Sequence, residues 1–396
     1  MSASHILYVG SYASTLSSLT LTVPYTSSAA AAASSLIVSN QLSPPSLGSG
    51  PSWLTQHGTT IYTADEDSHP YALHSCYSID AQHPTILHFQ ASLKVPNQTG
   101  PVDLILSSDH AHLYAANYVS GSVSNIALDA RTGSYLSGAT PQSIVFTGAG
   151  PKLDRQTGPH AHQVALEPTG RYLLVCDLGS DQVRVFDTHT PSGDLNPLDS
   201  LSVAPGSGPR HLLFAGEGTL SDPTLVYLVN ELSSTLLIAR LDYPIEPSPH
   251  LTWTILQTIS ILPSTQPTLN WTGGELVLSP DRQHLFVSNR SPKQSPALKG
   301  HDLLSIFELD LATGKTTSTE PTFFPLPGLH PRHMSLSPEG DYLAVALQHS
   351  NKVVVYKRVG AQLESVGEVE VQKPTCVIWN TGGLEKVGKV VQSWVE

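Results

Sequence analysis

The chain has little charge, and this shortage narrows the classes of protein to which it can belong. Only 13% of its 396 residues are Asp, Glu, Lys or Arg, against about 25% in ordinary globular proteins. Acidic residues outnumber basic ones by 32 to 20, which leaves a formal net charge of −12. A general nucleic-acid surface needs a basic stripe. We therefore predict that nucleic acid is not a partner.

Cysteines, early basic residues and long apolar runs are also scarce. Cys76, Cys176 and Cys376 are odd in number and far apart, so neither a disulfide framework nor a zinc ribbon is indicated. No Lys or Arg precedes Lys94, whereas a secretory signal has a positive n-region. No uninterrupted apolar run approaches the ~20 residues of a membrane span. We predict a soluble, cytoplasmic protein without a membrane contact.

Glycine and proline are plentiful, with 29 and 31 residues, and they punctuate an internal repeat. One unit reads as an apolar strand, a turn of the Ser-Pro-Asp-Gly kind, a second strand, a polar pair and a third strand. Units with a longer or degenerate turn occupy 212–230 and 54–65. The clearer copies occupy 164–177, 276–289, 335–346 and, more weakly, 104–117.

Third strands follow the repeated pair, and less regular outer strands follow them. An insertion at 291–301 separates the second and third strands of one unit, and 148–158 is predicted to link two units. The low-complexity run at 29–33 is predicted to be a surface loop. The predicted third strands either alternate apolar and polar residues or are rich in β-branched residues. They occupy 122–128, 182–186, 236–241, 303–309 and 352–356.

The two ends of the chain complete each other. Residues 5–11 match a second strand without a first, and 375–379 match a first strand without a second. Joined, they bring the number of units to seven. Radial four-stranded blades limit exposed sheet edges, so we predict an all-β, seven-bladed β-propeller with one blade closed by the N- and C-terminal strands. It forms a single domain over 1–396, with the tail 381–396 unplaced. A linear solenoid is the alternative, but it does not explain the split unit.

Aligning the units places polar residues in two columns. The first column lies where the chain enters the innermost strand of each unit, six residues before the turn. The second is the pair that ends the second strand. The first column reads Val102, His162, Arg210, Gly274 and Arg332. The second reads Ser11-Tyr12, Asp65-Glu66, Asn117-Tyr118, Asp177-Leu178, Asn230-Glu231, Asn289-Arg290 and Leu347-Gln348.

Equivalent positions of a propeller ring one axis, so His162, Arg210, Glu231 and Arg290 are predicted to meet near the channel mouth. An arginine binds carboxylate or phosphate in bidentate fashion, and a Glu or His beside it can move protons. The set therefore suits an anionic substrate. Polar channel residues also occur in propellers that only bind partners, which keeps a non-catalytic binding module open.

Other chemistries have weaker signals. His160 and His162 share a strand face and suggest a metal, but no carboxylate or cysteine lies at nearby ligand spacing, so we predict none. The chain has no P-loop, no GxGxxG opening a helix and no GxSxG nucleophile elbow, which argues against a serine esterase.

Four motifs carry a family resemblance: Gly-Pro-His-Ala-His at 158–162, Gly-Ser-Gly-Pro-Arg-His at 206–211, Val-Asn-Glu-Leu-Ser-Ser at 229–234 and Val-Ser-Asn-Arg at 287–290. Together they resemble the seven-bladed lactonase family, which includes bacterial propeller-type 6-phosphogluconolactonases and fungal 3-carboxy-cis,cis-muconate lactonizing enzymes. The chain departs from it in Pro/Ser-rich insertions, in degenerate first units, and in Gly-Gly-Glu-Leu at 273–276, where relatives often have Ala-Glu-Ile.

The resemblance implies site residues and a reaction. The family's His, first Arg, Glu and second Arg fall on His162, Arg210, Glu231 and Arg290, which the columns also select. We predict further substrate contacts from His160, Arg332 and Asn289.

The implied reaction is hydrolysis of an anionic sugar-acid lactone, such as 6-phosphogluconolactone, without a cofactor. His162 is preferred as the base over Glu231, because a glutamate between arginines stays ionised. A muconate-type lactonizing cycloisomerase, using the same arginines for carboxylates, is the alternative reaction. The protein is predicted to be a monomer or weak homodimer.

Overall fold

The structure is a computed structural model that describes residues 2–24, 33–43, 50–190, 192–218, 222–243, 250–264, 271–292 and 301–382. The low-complexity run at 29–33, the insertion at 291–301 and the tail at 381–396 lie wholly or largely outside these residues. Within the described ranges, no helix is long and apolar enough to cross a membrane, and the helical structure is one 3₁₀ turn, Gln348–Ser350.

Seven four-stranded antiparallel sheets make up the fold, which confirms the predicted all-β propeller. The first blade combines β1 (Ser2–Ser11), β2 (Thr15–Pro24), β3 (Ser35–Leu42) and the last strand of the chain. The second combines β4 (Pro51–His57), β5 (Thr60–Asp65), β6 (Tyr71–Ile79) and β7 (Leu87–Pro96). The third combines β8 (Pro101–Leu106), β9 (His112–Asn117), β10 (Ser122–Ala127) and β11 (Gln142–Val145).

The remaining blades follow in chain order. The fourth blade consists of β12 (Ala161–Leu166), β13 (Tyr172–Asp177), β14 (Gln182–Asp187) and β15 (Asn196–Ser202). The fifth consists of β16 (Pro209–Ala215), β17 (Leu225–Asn230), β18 (Thr235–Asp242) and β19 (Thr252–Ser260). The sixth consists of β20 (Thr272–Leu278), β21 (His284–Arg290), β22 (Leu303–Glu308) and β23 (Thr322–Pro325), and the seventh of β24 (Pro331–Leu336), β25 (Tyr342–Leu347), β26 (Lys352–Val359) and β27 (Gln362–Glu370). The last strand is β28 (Pro374–Trp379).

The first blade joins the two ends of the chain, as predicted. Strand β28 pairs antiparallel with β1, from Leu7 opposite Trp379 to Ser11 opposite Pro374. The innermost strands then contact one another in the order β28, β4, β8, β12, β16, β20, β24 and back to β28. The ring is therefore closed by hydrogen bonds between the terminal strands.

The core lies between blades rather than within them. Leu173 and Val175 of β13 pack toward the third blade, whereas Leu174 and Cys176 of the same strand pack toward the fifth. Successive residues of a strand point to opposite faces of its sheet. Both faces of a blade are covered by its neighbours, so second strands such as β13, β17 and β25 are apolar at nearly every position. Seven hydrophobic clusters, one for each pair of adjacent blades, hold the ring together.

A β-bulge lies near the start of every innermost strand. On β12, Ala161 pairs with Asp177 and Gln163 pairs with Cys176, so His162 is left out of the ladder. Such an extra residue bends the strand and re-aims its side chain. The aligned positions of the first polar column in the sequence are therefore the bulged residues of the innermost strands. Corresponding register shifts occur at Ser52, Val102, Arg210, Gly274, Arg332 and Thr375.

Candidate active site

A pocket of about 310 Å³ opens at the channel mouth, where the innermost strands begin. Among the described residues, every blade except the first contributes to its wall, because the bulges and the ends of the second strands converge there. The structure thus brings together five of the seven residues predicted for the site. The lining residues are Glu66, Tyr118, Arg155, His162, Arg210, Glu231, Thr272, Arg290, His330 and Arg332.

Glu231 is the centre of the pocket and is surrounded by three guanidinium groups. Its Oε2 lies 2.9 Å from Arg210 Nη1 and 2.9 Å from Arg290 Nη2. Its Oε1 accepts a hydrogen bond of 2.7 Å from Arg155 Nη2. Charge-assisted contacts of this kind are shorter and stronger than neutral hydrogen bonds. The carboxylate therefore orders three arginines around one point.

These arginines also decide the protonation state of Glu231. Burial alone would raise the pKa of this carboxyl, but the positive charges of Arg290, Arg210 and Arg155 outweigh burial and hold the pKa well below its usual range. An ionised carboxylate whose lone pairs are engaged by cations is a weak base. Glu231 is therefore ionised, with three arginines engaging its oxygens.

His162 projects into the pocket from the bulge of β12. Its Nε2 accepts a hydrogen bond from Arg210 Nη1, and its Nδ1 lies 3.0 Å from His211 Nε2. Burial, with the positive charge of Arg210 and the neighbouring His211, lowers the pKa of His162 well below its ordinary value. The imidazole is neutral near pH 7, with a lone pair on the pocket side.

Arg210 is held from two directions and keeps donors for a ligand. Its Nε donates to the carbonyl of Gly274 at 3.0 Å, and Nη1 serves both Glu231 and His162. Burial, with nearby Arg290, lowers the pKa of Arg210 to about 10, so it remains cationic at neutral pH. Its Nη2 makes no hydrogen bond to any residue within the described ranges, which leaves two N–H groups for a substrate.

Arg332 forms a second charged group across the pocket. Its Nη2 donates to Glu66 Oε2 at 2.7 Å, and its guanidinium lies 5.0 Å from the ring centroid of Tyr12. The Tyr12 hydroxyl also donates to Glu66. Burial opposes the charged form of Arg332, but Glu66 outweighs it and raises the pKa of Arg332. This cation is therefore permanently charged and fixed in direction.

The charges that line the pocket do not cancel. Among the described residues that line it, four arginines face two glutamates, which leaves a formal excess of two positive charges. The two lining histidines do not change the sum, because burial and nearby cations lower the pKa of both His162 and His330. A concave site with this balance attracts anions. A ligand with two negative charges neutralises it.

Two predicted contact residues do not reach the pocket. Asn289 is fully buried and donates from Nδ2 to Ser305 Oγ at 2.7 Å, because it is the last paired residue of β21 opposite β22. His160 precedes the bulge and stacks on Tyr118 at 4.5 Å between ring centroids. His160 therefore supports a pocket wall rather than lining it. Across the described residues, no group of three or more His, Cys, Asp or Glu side chains is placed to hold a metal ion.

The structure adds residues that the sequence columns did not select as contacts. Arg155 comes from the loop between the third and fourth blades, outside the repeat, so alignment of units gives no signal for it. His330 directly precedes β24 and stacks on His349 at 4.1 Å. Tyr118 and Glu66 occupy the second column, where the position after each second strand could have identified them. Thr272 begins β20.

Known proteins share this sequence and fold. A family profile described as "Lactonase, 7-bladed beta-propeller" matches residues 6–379. A protein of Arthroderma benhamiae named "Probable 6-phosphogluconolactonase" is 31% identical over 345 residues, covering 85% of this chain and 82% of its own. The 6-phosphogluconolactonase of Bacillus subtilis is 26% identical over 280 residues, covering 70% and 72%. The crystal structure of the periplasmic gluconolactonase of Pseudomonas aeruginosa is similar, with a TM-score of 0.75 and 25% identity over 95% of this chain and 99% of that one.

Proposed function

The chain belongs to the seven-bladed β-propeller lactonase family and is a lactone hydrolase, and we propose that its substrate is a phosphorylated sugar-acid lactone of the 6-phosphogluconolactone class. The observation that carries the substrate class is the excess of two positive charges in the pocket. A phosphate monoester carries a charge of about −1.5 to −2 near pH 7. An unphosphorylated aldonolactone is neutral and leaves the arginines uncompensated.

Binding of the dianion also prepares the base. Burial and the charge of Arg210 lower the pKa of His162, and Arg210 donates to the lone pair of its Nε2. A bound anion offsets the field of the arginines, which raises the pKa of His162 toward its ordinary value. When Arg210 turns a donor toward the substrate, Nε2 becomes available to a water molecule. Binding and activation of the base are then coupled.

Ring opening follows in two steps. Water attacks the lactone carbonyl carbon while His162 Nε2 takes one of its protons, and the carbonyl oxygen becomes an oxyanion. Arg210 Nη2 supplies N–H donors to that oxyanion, a contact worth roughly 10²–10³-fold in rate. The bond from the carbonyl carbon to the ring oxygen then breaks, and the protonated His162 returns its proton to that oxygen. The products are a free hydroxyl group and a carboxylic acid, which ionises.

The same arginines could hold the carboxylates of a muconate-type diacid in a cycloisomerase. Two observations favour hydrolysis. The relatives described above are named lactonases, and the base neighbours a cation with free donors suited to an oxyanion.

We retain cytoplasmic location and a monomeric or weakly dimeric state as predictions, which fractionation and light scattering can check.

A coupled assay tests the proposal. 6-Phosphogluconolactone is generated in place, spontaneous hydrolysis is subtracted, and wild type is compared with Arg210→Ala. We expect strong acceleration by the wild type, a loss of at least ~10²-fold in the variant, and a much higher kcat/KM than for gluconolactone without phosphate. Arg131→Ala, which changes an exposed arginine, is the matched control. Equal rates for both lactones would contradict the substrate class. Absence of acceleration with either, together with loss of muconate absorbance, would favour the cycloisomerase.

A further inference from the structure

A chain of three buried ionisable side chains extends from the pocket into the propeller axis. His162 Nδ1 lies 3.0 Å from His211 Nε2, and His211 Nδ1 lies 3.0 Å from Glu275 Oε1. His211 and Glu275 are each 1% exposed. Neither lines the pocket, so the substrate described above does not account for them.

The chemistry at the two ends of this chain fixes every proton in it. At the pocket end, Arg210 can only donate, so His162 Nε2 is an acceptor and its neutral ring carries the proton on Nδ1. At the inner end, Glu275 is an ionised carboxylate that can only accept, so the proton of His211 is on Nδ1. His211 Nε2 is then free to accept from His162. All three bonds run in one direction, toward the carboxylate.

Glu275 is held in its charged form and in one orientation. Burial raises the pKa of this carboxyl, but the neighbouring His211 and its hydrogen bond, with nearby His333, outweigh burial and lower it. The Glu275 Oε1 also accepts from the backbone N–H of Leu276 at 3.0 Å. His333 Nδ1 accepts from the Val377 N–H, so its Nε2 carries the proton and faces Glu275 Oε2 at 3.8 Å.

Packing fixes the rings as well as the protons. The Trp53 ring meets His211 edge-on at 5.5 Å and His333 at 4.8 Å between ring centroids. Glu275 and His333 border a second cavity of about 100 Å³ in the channel. His211 lines neither cavity. His211, packed against Trp53 and hydrogen-bonded through both ring nitrogens, is a rigid support for His162.

We propose that His211 and Glu275 are positioning residues that hold His162 as the Nδ1–H tautomer, with its Nε2 lone pair directed at the attacking water, and that they stabilise the imidazolium formed in the reaction. The proposal deepens the hydrolase function above and rests on it. It assigns a role to the His of the Gly-Pro-Arg-His motif and to the Glu of Gly-Gly-Glu-Leu.

The proton movement balances without another reactant. His162 gains the water proton on Nε2, and its Nδ1 proton can move along the hydrogen bond to His211 Nε2. The positive charge then lies beside the Glu275 carboxylate and away from Arg210. When the ring oxygen leaves, the Nδ1 proton returns to His162 and the Nε2 proton passes to that oxygen. No electron transfer is involved.

Glu275→Gln is the first test. The variant removes the charge that stabilises the imidazolium and no longer dictates the tautomer of His211. We expect kcat to fall at least ~10-fold, as for other residues that orient a functional histidine, with KM within about 2-fold of wild type. Glu167→Gln is the matched control. Glu167 is equally buried and hydrogen-bonded, but it directly follows β12, at the end opposite to the pocket. We expect it to lower Tm without changing kcat.

A double-mutant cycle separates positioning from a general structural effect. In a His162→Gln background, Glu275→Gln should cause no further loss of kcat, because His211 and Glu275 act only through His162. Losses that multiply would overturn the proposal. So would a kcat for Glu275→Gln within 2-fold of wild type in an enzyme that hydrolyses the lactone.

A spectroscopic measurement tests the relay independently of turnover. In ¹⁵N-histidine-labelled protein, the His162 signals, assigned by their loss in His162→Gln, should show a protonated Nδ1 and an unprotonated Nε2. Glu275→Gln should shift this tautomer balance. The groups that face His162 and enter the interpretation are Arg210, His211, Glu231 and Arg332, and the Tyr118 ring meets the imidazole edge-on at 5.7 Å between ring centroids. A wild type without lactonase activity but with this tautomer contradicts the proposed function alone. The opposite tautomer contradicts the relay.

Discussion

Arg155 Nη2 donates to Glu231 Oε1 at 2.7 Å, although the two residues lie 76 positions apart and Arg155 belongs to no strand. The contact brings a loop between blades onto the central carboxylate of the pocket. The Arg155 side chain is 34% exposed, against 5% for Glu231. Arg155 therefore lies at the solvent edge of the pocket.

Replacing Arg155 should weaken binding more than chemistry. In Arg155→Gln we expect KM to rise about 10-fold, the lower end of what a charge-assisted hydrogen bond contributes, because solvent screens the group. The kcat should remain within about 3-fold, since Arg210 and Arg290 still hold Glu231. Steady-state kinetics on the phosphorylated lactone measure both. Arg131→Gln, on an exposed loop, should change neither constant, and a selective loss of kcat in Arg155→Gln would contradict this assignment.

Gly274 should be intolerant of a side chain. A Cβ there would lie 2.4 Å from Ser288 Oγ and 2.9 Å from the carbonyl oxygen of Pro331. The Gly274 carbonyl also accepts from Arg210 Nε. In Gly274→Ala we expect at least a 10-fold loss of kcat/KM and a decrease of about 1–3 kcal/mol in the free energy of unfolding.

The matched control for this substitution is Gly158→Ala. A Cβ at Gly158 would meet no atom within 4 Å, and the residue lies in the loop before β12. Its kinetics and Tm should equal those of the wild type. Full activity of Gly274→Ala would show that the Arg210 contact with this carbonyl does not matter for the reaction.

The pH dependence of kcat/KM should reveal the depressed pKa of His162. A base is active when unprotonated, so activity is lost as pH falls through its pKa. Burial, Arg210 and His211 lower that pKa, and the acid limb should lie below the ordinary value of about 6.5. In Arg210→Gln, removal of one positive charge raises the pKa of His162, so the acid limb of the remaining activity should move to higher pH. A wild-type midpoint at or above about 6.5 would argue against a neutral His162 as the base.

Stability should fall on acidification for a related reason. His74 is fully buried in β6, and burial lowers its pKa to about 4. The unfolded chain, with a histidine pKa near 6.5, binds a proton that the folded state excludes. Stability contributed by the neutral ring is therefore complete above about pH 6.5 and declines as pH falls toward 4, by about 3 kcal/mol in total.

Denaturant unfolding at pH 7 and pH 4 measures this decline. His74→Leu should lose about 3 kcal/mol less stability than the wild type between these pH values. The remaining decline should come from other buried histidines, including His333. His83→Leu, at an exposed position, should behave as wild type, and parallel curves for His74→Leu and wild type would refute the assignment.

Much of the site was predictable from the sequence because it repeats. A Pro or Ala followed by a polar residue occurs at the start of five of the seven innermost strands, and this position became the bulge that carries His162, Arg210 and Arg332. The second column identified Glu231 and Arg290 in the same way. The second column did not show which member of each pair faces the pocket. The Asn289 side chain forms its hydrogen bond within its own blade, whereas the next residue, Arg290, lines the pocket.

Other parts of the site had no local signal. Arg155 lies in a connection of irregular sequence. The role of Glu275 depends on contacts to His211 and His333, which are 64 and 58 residues away in the chain. The pKa of His162 depends on burial and on charges that approach through space from other blades. None of these relationships is encoded in the spacing of neighbouring residues.

The sequence by itself determined the blade. Alternating apolar residues, turn signals and the complementary terminal strands are local patterns, and they specify strands, their number and the closure of the ring by β1 and β28. Only the tertiary structure decided the chemistry. Ring closure brings bulges from separate blades around Glu231, and burial then sets which groups are charged. Electrostatic energy depends on distance and solvent exposure, and both arise only when the seven blades are assembled.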